Sequence, residues 1–290
     1  MFTHILIVTN GSKESFAAIE QGDQLAAHLG IPITLLGITE RLDPAAIDAA
    51  HPLEAVFEKA VRLFEARGAV YRLEVRNGSA EKILPVEAGQ GDPIVVVGSM
   101  GRPQIQRMVS GRSIRHFIAD VQQPILYVPE VRIPIRRIVI SVGGLGYDVN
   151  AGHLALQLAE TCKAEVTFLH IVPPIELNYP TATAVNRNWQ NVTESDTPIG
   201  RNLKQSLEHA RSLGVNAAIK VRHGNVIEEI QAEVLDGGYD LLCMGSSYSG
   251  HSLRQMYSAN VTAEIMERVR IPVLTARFRR ENAGEEKHER

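Results

Sequence analysis

Short apolar runs punctuate the chain, and longer amphipathic stretches lie between them. Ile5–Val8, Ile33–Ile38, Val70–Val75, Ile94–Val97 and Ile125–Val128 are too short for helices and rich in β-branched residues, so they predict strands. After Ser12, whose hydroxyl suits an N-cap, Phe16, Ile19, Leu25 and Leu29 recur at helical spacing, and Gly30 is a fitting stop. Pro52–Arg67 places Leu53, Val56, Phe57, Ala60 and Leu63 on one stripe, which predicts a second helix. Ser79–Ala88 and Gly111–Val121 predict a third and a fourth. Strands separated by helices need crossover connections, and those make a parallel sheet covered on both faces.

The pattern then repeats. HILIVTNGS near the start is echoed by RIVISVGGL after Arg136, IPITLLGITE by AEVTFLHIVPP, and VYRLEVRNGSAEKI by NAAIKVRHGNVIEEI. DPIVVVGSMG and QQPILYVPE return in the same order as YDLLCMGSSYSG and RIPVLTARF. The expected organisation is two tandem domains, residues 1–131 and 132–278, joined through EVRIPI and followed by a charged tail, 279–290. Each is a doubly wound α/β domain with a five-stranded parallel sheet. The second copy carries an insertion, 176–199, with the only tryptophan, Trp189. It reads as a surface loop, with a lid over the ligand crevice as the alternative.

Composition narrows the function without naming it. The 290 residues are 44% hydrophobic and 22% charged, with a formal net charge of −3, which gives no electrostatic footprint for nucleic acid or an anionic membrane. No apolar window reaches membrane-span length. Cys162 and Cys243 stand alone in apolar segments, so neither a disulfide framework nor a thiolate metal site is expected, and a cytoplasmic setting follows. GxSxG and HExxH are absent, and the histidines are scattered, with His4, His170 and His223 in or beside strands as structural side chains. No catalytic residue is expected. Asp92 and Asp240 precede the fourth strands of their halves and read as turn chemistry.

The candidate chemistry lies in IVVVGSMGRPQIQRMVSGRS, residues 94–113. Gly98 ends a strand and Gly111 opens a helix, a junction where unpaired N–H groups and the helix dipole favour an anion. The spacing is neither a P-loop nor a dinucleotide fingerprint. By themselves the glycines fit a tight turn as well as a phosphate.

The element order, ILIVTNGS, LAAHLGIPITLLGIT, QQPILYVP and the spacing of Gly98, Gly101 and Gly111 together resemble the universal stress protein family, over nearly the whole chain as two copies. The resemblance implies a Rossmann-like fold of the adenine nucleotide alpha hydrolase type and a stress-response role. It also implies an adenine nucleotide in the first domain: ATP, with or without Mg2+, or alternatively AMP or ADP. Gly98, Gly101 and Gly111 would wrap the phosphates, Thr9 and Asn10 would face the nucleoside, and Ile38 and Val97 would border the adenine. Met100, Arg112 and Ser113 complete the implied site. Two residues depart from the family pattern: Asn10 replaces an aspartate, and Arg112 stands where Ser or Thr usually follows the glycine. A guanidinium there suits phosphate oxygens, and Arg102 and Arg107 could add to it. Family members commonly dimerise through the final strand, so the resemblance pairs the two copies as an internal pseudo-dimer, Ile125–Val128 against Val273–Ala276. A further homodimer is compatible with it.

The second copy departs further. Its first strand ends in Val142 and Gly143, and Ala259 and Asn260 stand near the start of its fourth helix. A structural, non-binding copy is expected, the alternative being a different polar site of Ser246, Ser247, Ser249 and His251. Three functions remain: a nucleotide-dependent regulatory or sensing module, a nucleotide-independent interaction scaffold, and a slow ATP hydrolase.

Overall fold

In a computed structural model of the chain the apolar runs become the strands of one continuous sheet. The structure describes residues 2–39, 52–99, 120–143, 149–173, 191, 194, 196–246 and 261–277. The first half contains β1 (Ile5–Thr9), α1 (Phe16–Leu29), β2 (Ile33–Thr39), α2 (Pro52–Arg67), β3 (Tyr71–Asn77), α3 (Ala80–Ala88), β4 (Ile94–Gly98) and β5 (Ile125–Val128). The second contains β6 (Arg137–Ser141), α4 (Val149–Cys162), β7 (Glu165–Val172), α5 (Pro198–Ser212), β8 (Ala217–His223), α6 (Val226–Gly237), β9 (Leu241–Ser246), α7 (Val261–Arg268) and β10 (Val273–Arg277). No helix among the described residues is long and apolar enough to cross a membrane.

The strand order is β3-β2-β1-β4-β5-β10-β9-β6-β7-β8, so each half repeats the same sequence of neighbours outward from the middle. Pairing within each half is parallel. The halves meet at an antiparallel seam, where Leu126 faces Leu274, with Tyr127 opposite Val273 and Ile125 opposite Thr275. Leu126 and Leu274 hold equivalent places in QQPILYVPE and RIPVLTARF, so an approximate two-fold axis passes between them. The predicted internal pairing is therefore what forms. The linker is tied at both ends: the Arg132 amide donates to Gln21 Oε1 at 2.9 Å, and those of Arg136 and Arg137 to Asp240 Oδ2 at 2.8 and 3.0 Å.

Strand alternation divides the core into two layers that each run through both halves. Ile5, Ile7, Ile33, Leu35 and Phe64 pack with Ile138, Ile140, Phe168 and Leu203 on the face covered by α1, α2, α4 and α5. Leu6, Val8, Leu36, Val97 and Leu84 pack with Val139, Leu242, Ile230 and Ile265 on the face of α3, α6 and α7. The outermost strands, β3 and β8, carry charges that bond to the helices beside them. Arg76 Nε lies 2.6 Å from Glu87, and the equivalent Arg222 lies 3.0 Å from Glu233, which also bonds Lys220 and Tyr239. Charged outer strands discourage pairing with foreign chains.

Two details differ from the sequence reading, and a third lies mostly outside the described residues. A 3-10 turn, Lys13–Ser15, delays α1 to Phe16, and Ser12 makes no side-chain cap bond. The third strand starts one residue late and extends to Asn77; Val70 lies outside it, exposed, although its carbonyl already accepts from Ile33. Of the predicted Gly111–Val121 helix only the last two residues are described, with Asp120 helical and Val121 buried.

The repeat also exposes a substitution of charge for apolar packing. Asp23 on α1 is 1% exposed and lies 3.1 Å from Nε of Arg67, which closes α2 and is 38% exposed. Leu156 and Leu213 hold the corresponding places in the second copy, both within or against the same apolar layer. Burial pushes the Asp23 carboxyl up, and the Arg67 charge opposes this only in part.

Candidate nucleotide site

In an open α/β sheet a ligand crevice forms beyond the carboxyl ends of the strands, where the strand order reverses. In the first half that point lies between β1 and β4. Thr9, Asn10 and Gly98 are brought there together, with Ile38 and Val97 on the flanking strand ends. Met100, Gly101, Gly111, Arg112 and Ser113 lie outside the described residues, as do Arg102 and Arg107.

Alternation places these residues on opposite faces. Thr9 continues the row of Ile5 and Ile7 toward α1, is 0% exposed, and has its hydroxyl 2.6 Å from that of Ser15. The Ser15 hydroxyl donates to the Ser12 carbonyl at 2.7 Å, and a carbonyl only accepts, so Thr9 must be the donor to Ser15. Thr9 Oγ1 in turn accepts from the Gly11 amide at 3.1 Å. One directed chain thus runs from Gly11 N–H through Thr9 and Ser15 to the Ser12 carbonyl, each bond polarising the next. Asn10 Oδ1 accepts from the Ser12 amide at 3.1 Å, an Asx turn, and Gly11 supplies the positive φ of 81° that this turn requires.

The chain and the Asx turn decide what the β1–α1 loop offers. The amides of Gly11, Ser12 and Ser15 all point to partners inside the loop. Those three amides are therefore satisfied without a ligand. Gly98 has a packing reason of its own. A Cβ there would stand 3.2 Å from Ser15 Cα and 3.3 Å from Ala18 Cβ, so its lack of a side chain lets α1 close on the sheet. Ile38 and Val97 lie on the other face, buried with Val8 in the layer that α3 covers, and form an apolar floor beneath the crest.

The second half keeps the backbone and changes the chemistry. Ladder register aligns Val142 with Thr9, Gly143 with Asn10, and His170 with Gly37. Valine cannot relay the hydroxyl chain. A Cβ on Gly37 would approach Phe57 and Leu53 at 2.9 and 3.0 Å, whereas at the matching point His170 is buried and its Nδ1–H donates to the Val142 carbonyl at 2.7 Å. That carbonyl fixes the tautomer, since it can only accept. Gly245 corresponds to Gly98, and its carbonyl accepts from the buried Thr262 hydroxyl of α7 at 2.9 Å. Ser246 ends β9; Ser247, Ser249, His251, Ala259 and Asn260 lie outside the described residues.

Sequence reasoning missed Ser15 and Gly37. Ser15 was available as a second hydroxyl one turn past Ser12, but only the fold shows it meeting Thr9. Among the described residues no group of three or more His, Cys, Asp or Glu side chains is placed to hold a metal.

The sequence profile of the universal stress protein family matches residues 1–129 and 134–277. Among solved structures, a universal stress protein from Archaeoglobus fulgidus DSM 4304 is 17% identical, with 94% of this chain and 96% of that chain covered and a TM-score of 0.63. A functionally unknown protein from Pseudomonas aeruginosa PAO1 is 11% identical, with 95% and 92% covered and a TM-score of 0.60. A search of curated proteins gave no match.

Proposed function

Since the chain belongs to the universal stress protein family, we propose that its first half binds an adenine nucleotide, ATP foremost, and works as a cytoplasmic regulatory or sensing module whose second half is a non-binding partner. The observation that carries this reading is the difference between the two crests. The first keeps a fully bonded Thr9–Asn10–Gly11 turn beside Gly98, and the second replaces it with Val142 and an imidazole-to-carbonyl bond. In this reading the β1–α1 loop is a rigid wall rather than the phosphate cradle. The phosphates fall to the backbone around Gly101 and Gly111, and the Arg112 guanidinium supplies the charge that a hydroxyl would not. The same bonded loop also favours the scaffold reading, because its amides need no ligand to satisfy them.

Mass spectrometry of small molecules released from the purified, heat-denatured protein separates the two. A retained adenine nucleotide, or ATP binding with Mg2+ in a titration, supports the module; neither one leaves the scaffold. Phosphate release that disappears on Gly101 or Gly111 substitution would instead make it a slow hydrolase. The Arg112→Ala protein should bind ATP more weakly, and unchanged affinity removes Arg112 from the site.

A further inference from the structure

Outside the crest, two imidazoles from different helices of the second half stand side by side. His153 lies in the first turns of α4 and His209 near the end of α5, with ring centroids 5.3 Å apart and an interplanar angle of 61°. Both side chains are exposed. We propose that His153 and His209 together bind one divalent transition-metal ion, of the Zn2+, Ni2+ or Cu2+ type, and so bridge α4 to α5.

The spacing is the first argument. Two metal–nitrogen bonds of about 2.1 Å meeting near the tetrahedral angle put two imidazole centres roughly 5 Å apart. The pair already stands at that separation, on two exposed side chains. Exposure is the second argument, since water can fill the remaining coordination positions without a buried polar cavity. No third His, Cys, Asp or Glu joins them among the described residues, so the site is an open two-imidazole one. Imidazole nitrogen suits Zn2+, Ni2+ and Cu2+, and excludes Mg2+ and Ca2+, which take oxygen.

The repeat supplies the third argument. α1 and α4 have equal length, which aligns His153 with Glu20, while Gly68 and Gly214 end their helices alike and align His209 with Leu63. The fold is therefore built in the first copy with neither histidine. Both appear in one copy only, and they are adjacent there.

The test uses full-length protein without a histidine tag, stripped with a chelator and titrated with Zn2+ by calorimetry, alongside His153→Ala and His209→Ala. Because both positions are exposed, the variants should melt like the wild type without metal. Each variant is expected to bind one Zn2+ per chain fewer than the wild type, and the double variant no fewer than either single one. Wild-type stoichiometry and affinity in the variants, or no Zn2+ binding by the wild type, would overturn the proposal. So would loss from one histidine variant alone.

Discussion

Replacing Asp23 and Arg67 by leucine, singly and together, copies into the first half what the second half already contains at Leu156 and Leu213. With the carboxylate 1% exposed and its partner 3.1 Å away, the pair gains about 5 kcal/mol of attraction at a protein-like dielectric. Desolvating the carboxylate costs several kcal/mol of the same order. The upward displacement of the Asp23 pKa says which is larger: burial outweighs Arg67. Arg67→Leu should therefore destabilise by about 3 kcal/mol, because the acid stays buried without its cation. Asp23→Leu should cost within about 1 kcal/mol, since Arg67 is 38% exposed and can turn to water. The double variant should fall between neutral and about 2 kcal/mol more stable than wild type.

The pH dependence has a definite sign. A carboxyl whose folded pKa is raised holds its proton more firmly when folded, so its penalty is full above that pKa and fades as pH falls through it. The Arg67→Leu protein should accordingly recover stability on mild acidification above the ordinary carboxylate range, where the double variant has no Asp23 to titrate. Urea unfolding followed by circular dichroism across pH measures the whole cycle. A double variant as unstable as Arg67→Leu alone would refute the reasoning, and would point to overpacking by the larger leucine instead.

Two further outcomes follow from the repeat. Lys163 sits at φ 55°, where the first copy has Gly30 at φ 64°, so Lys163→Gly should raise stability by about 1 kcal/mol, read as a higher midpoint in thermal melting. Thr9→Val imports the Val142 chemistry, leaves the Gly11 amide without its acceptor and Ser15 without its donor, and should cost about 1–3 kcal/mol in urea unfolding. If nucleotide binds the first crest, the same variant should weaken it.

The repeated α/β pattern was readable because it is local. Apolar runs and helical stripes fix β1, β2, β4, β5 and α2 nearly to the residue, and the resemblance supplied the β5–β10 pairing. The hydroxyl relay was not readable, because Thr9 and Ser15 meet only once a 3-10 turn folds the loop back over the strand end. Asn10 was read as a ligand group; that its oxygen also accepts from the Ser12 amide was not readable. The loss of polar side chains at Val142 and Gly143 could be seen in the sequence. The repeat of IPITLLGITE in AEVTFLHIVPP also sets His170 against Gly37, but that its imidazole bonds the Val142 carbonyl needed coordinates. Gly98 was visible as a glycine, but its contact with α1 needed coordinates.

The antiparallel seam at Leu126 and Leu274 has a stoichiometric consequence. Two identical subunits joined this way would carry two identical crests, and dilution would part them. Covalent fusion removes both constraints: the join is intramolecular at any concentration, and each copy is free to mutate without imposing the change on its twin. It also occupies the inner strands of both halves, so a second chain finds no open edge there.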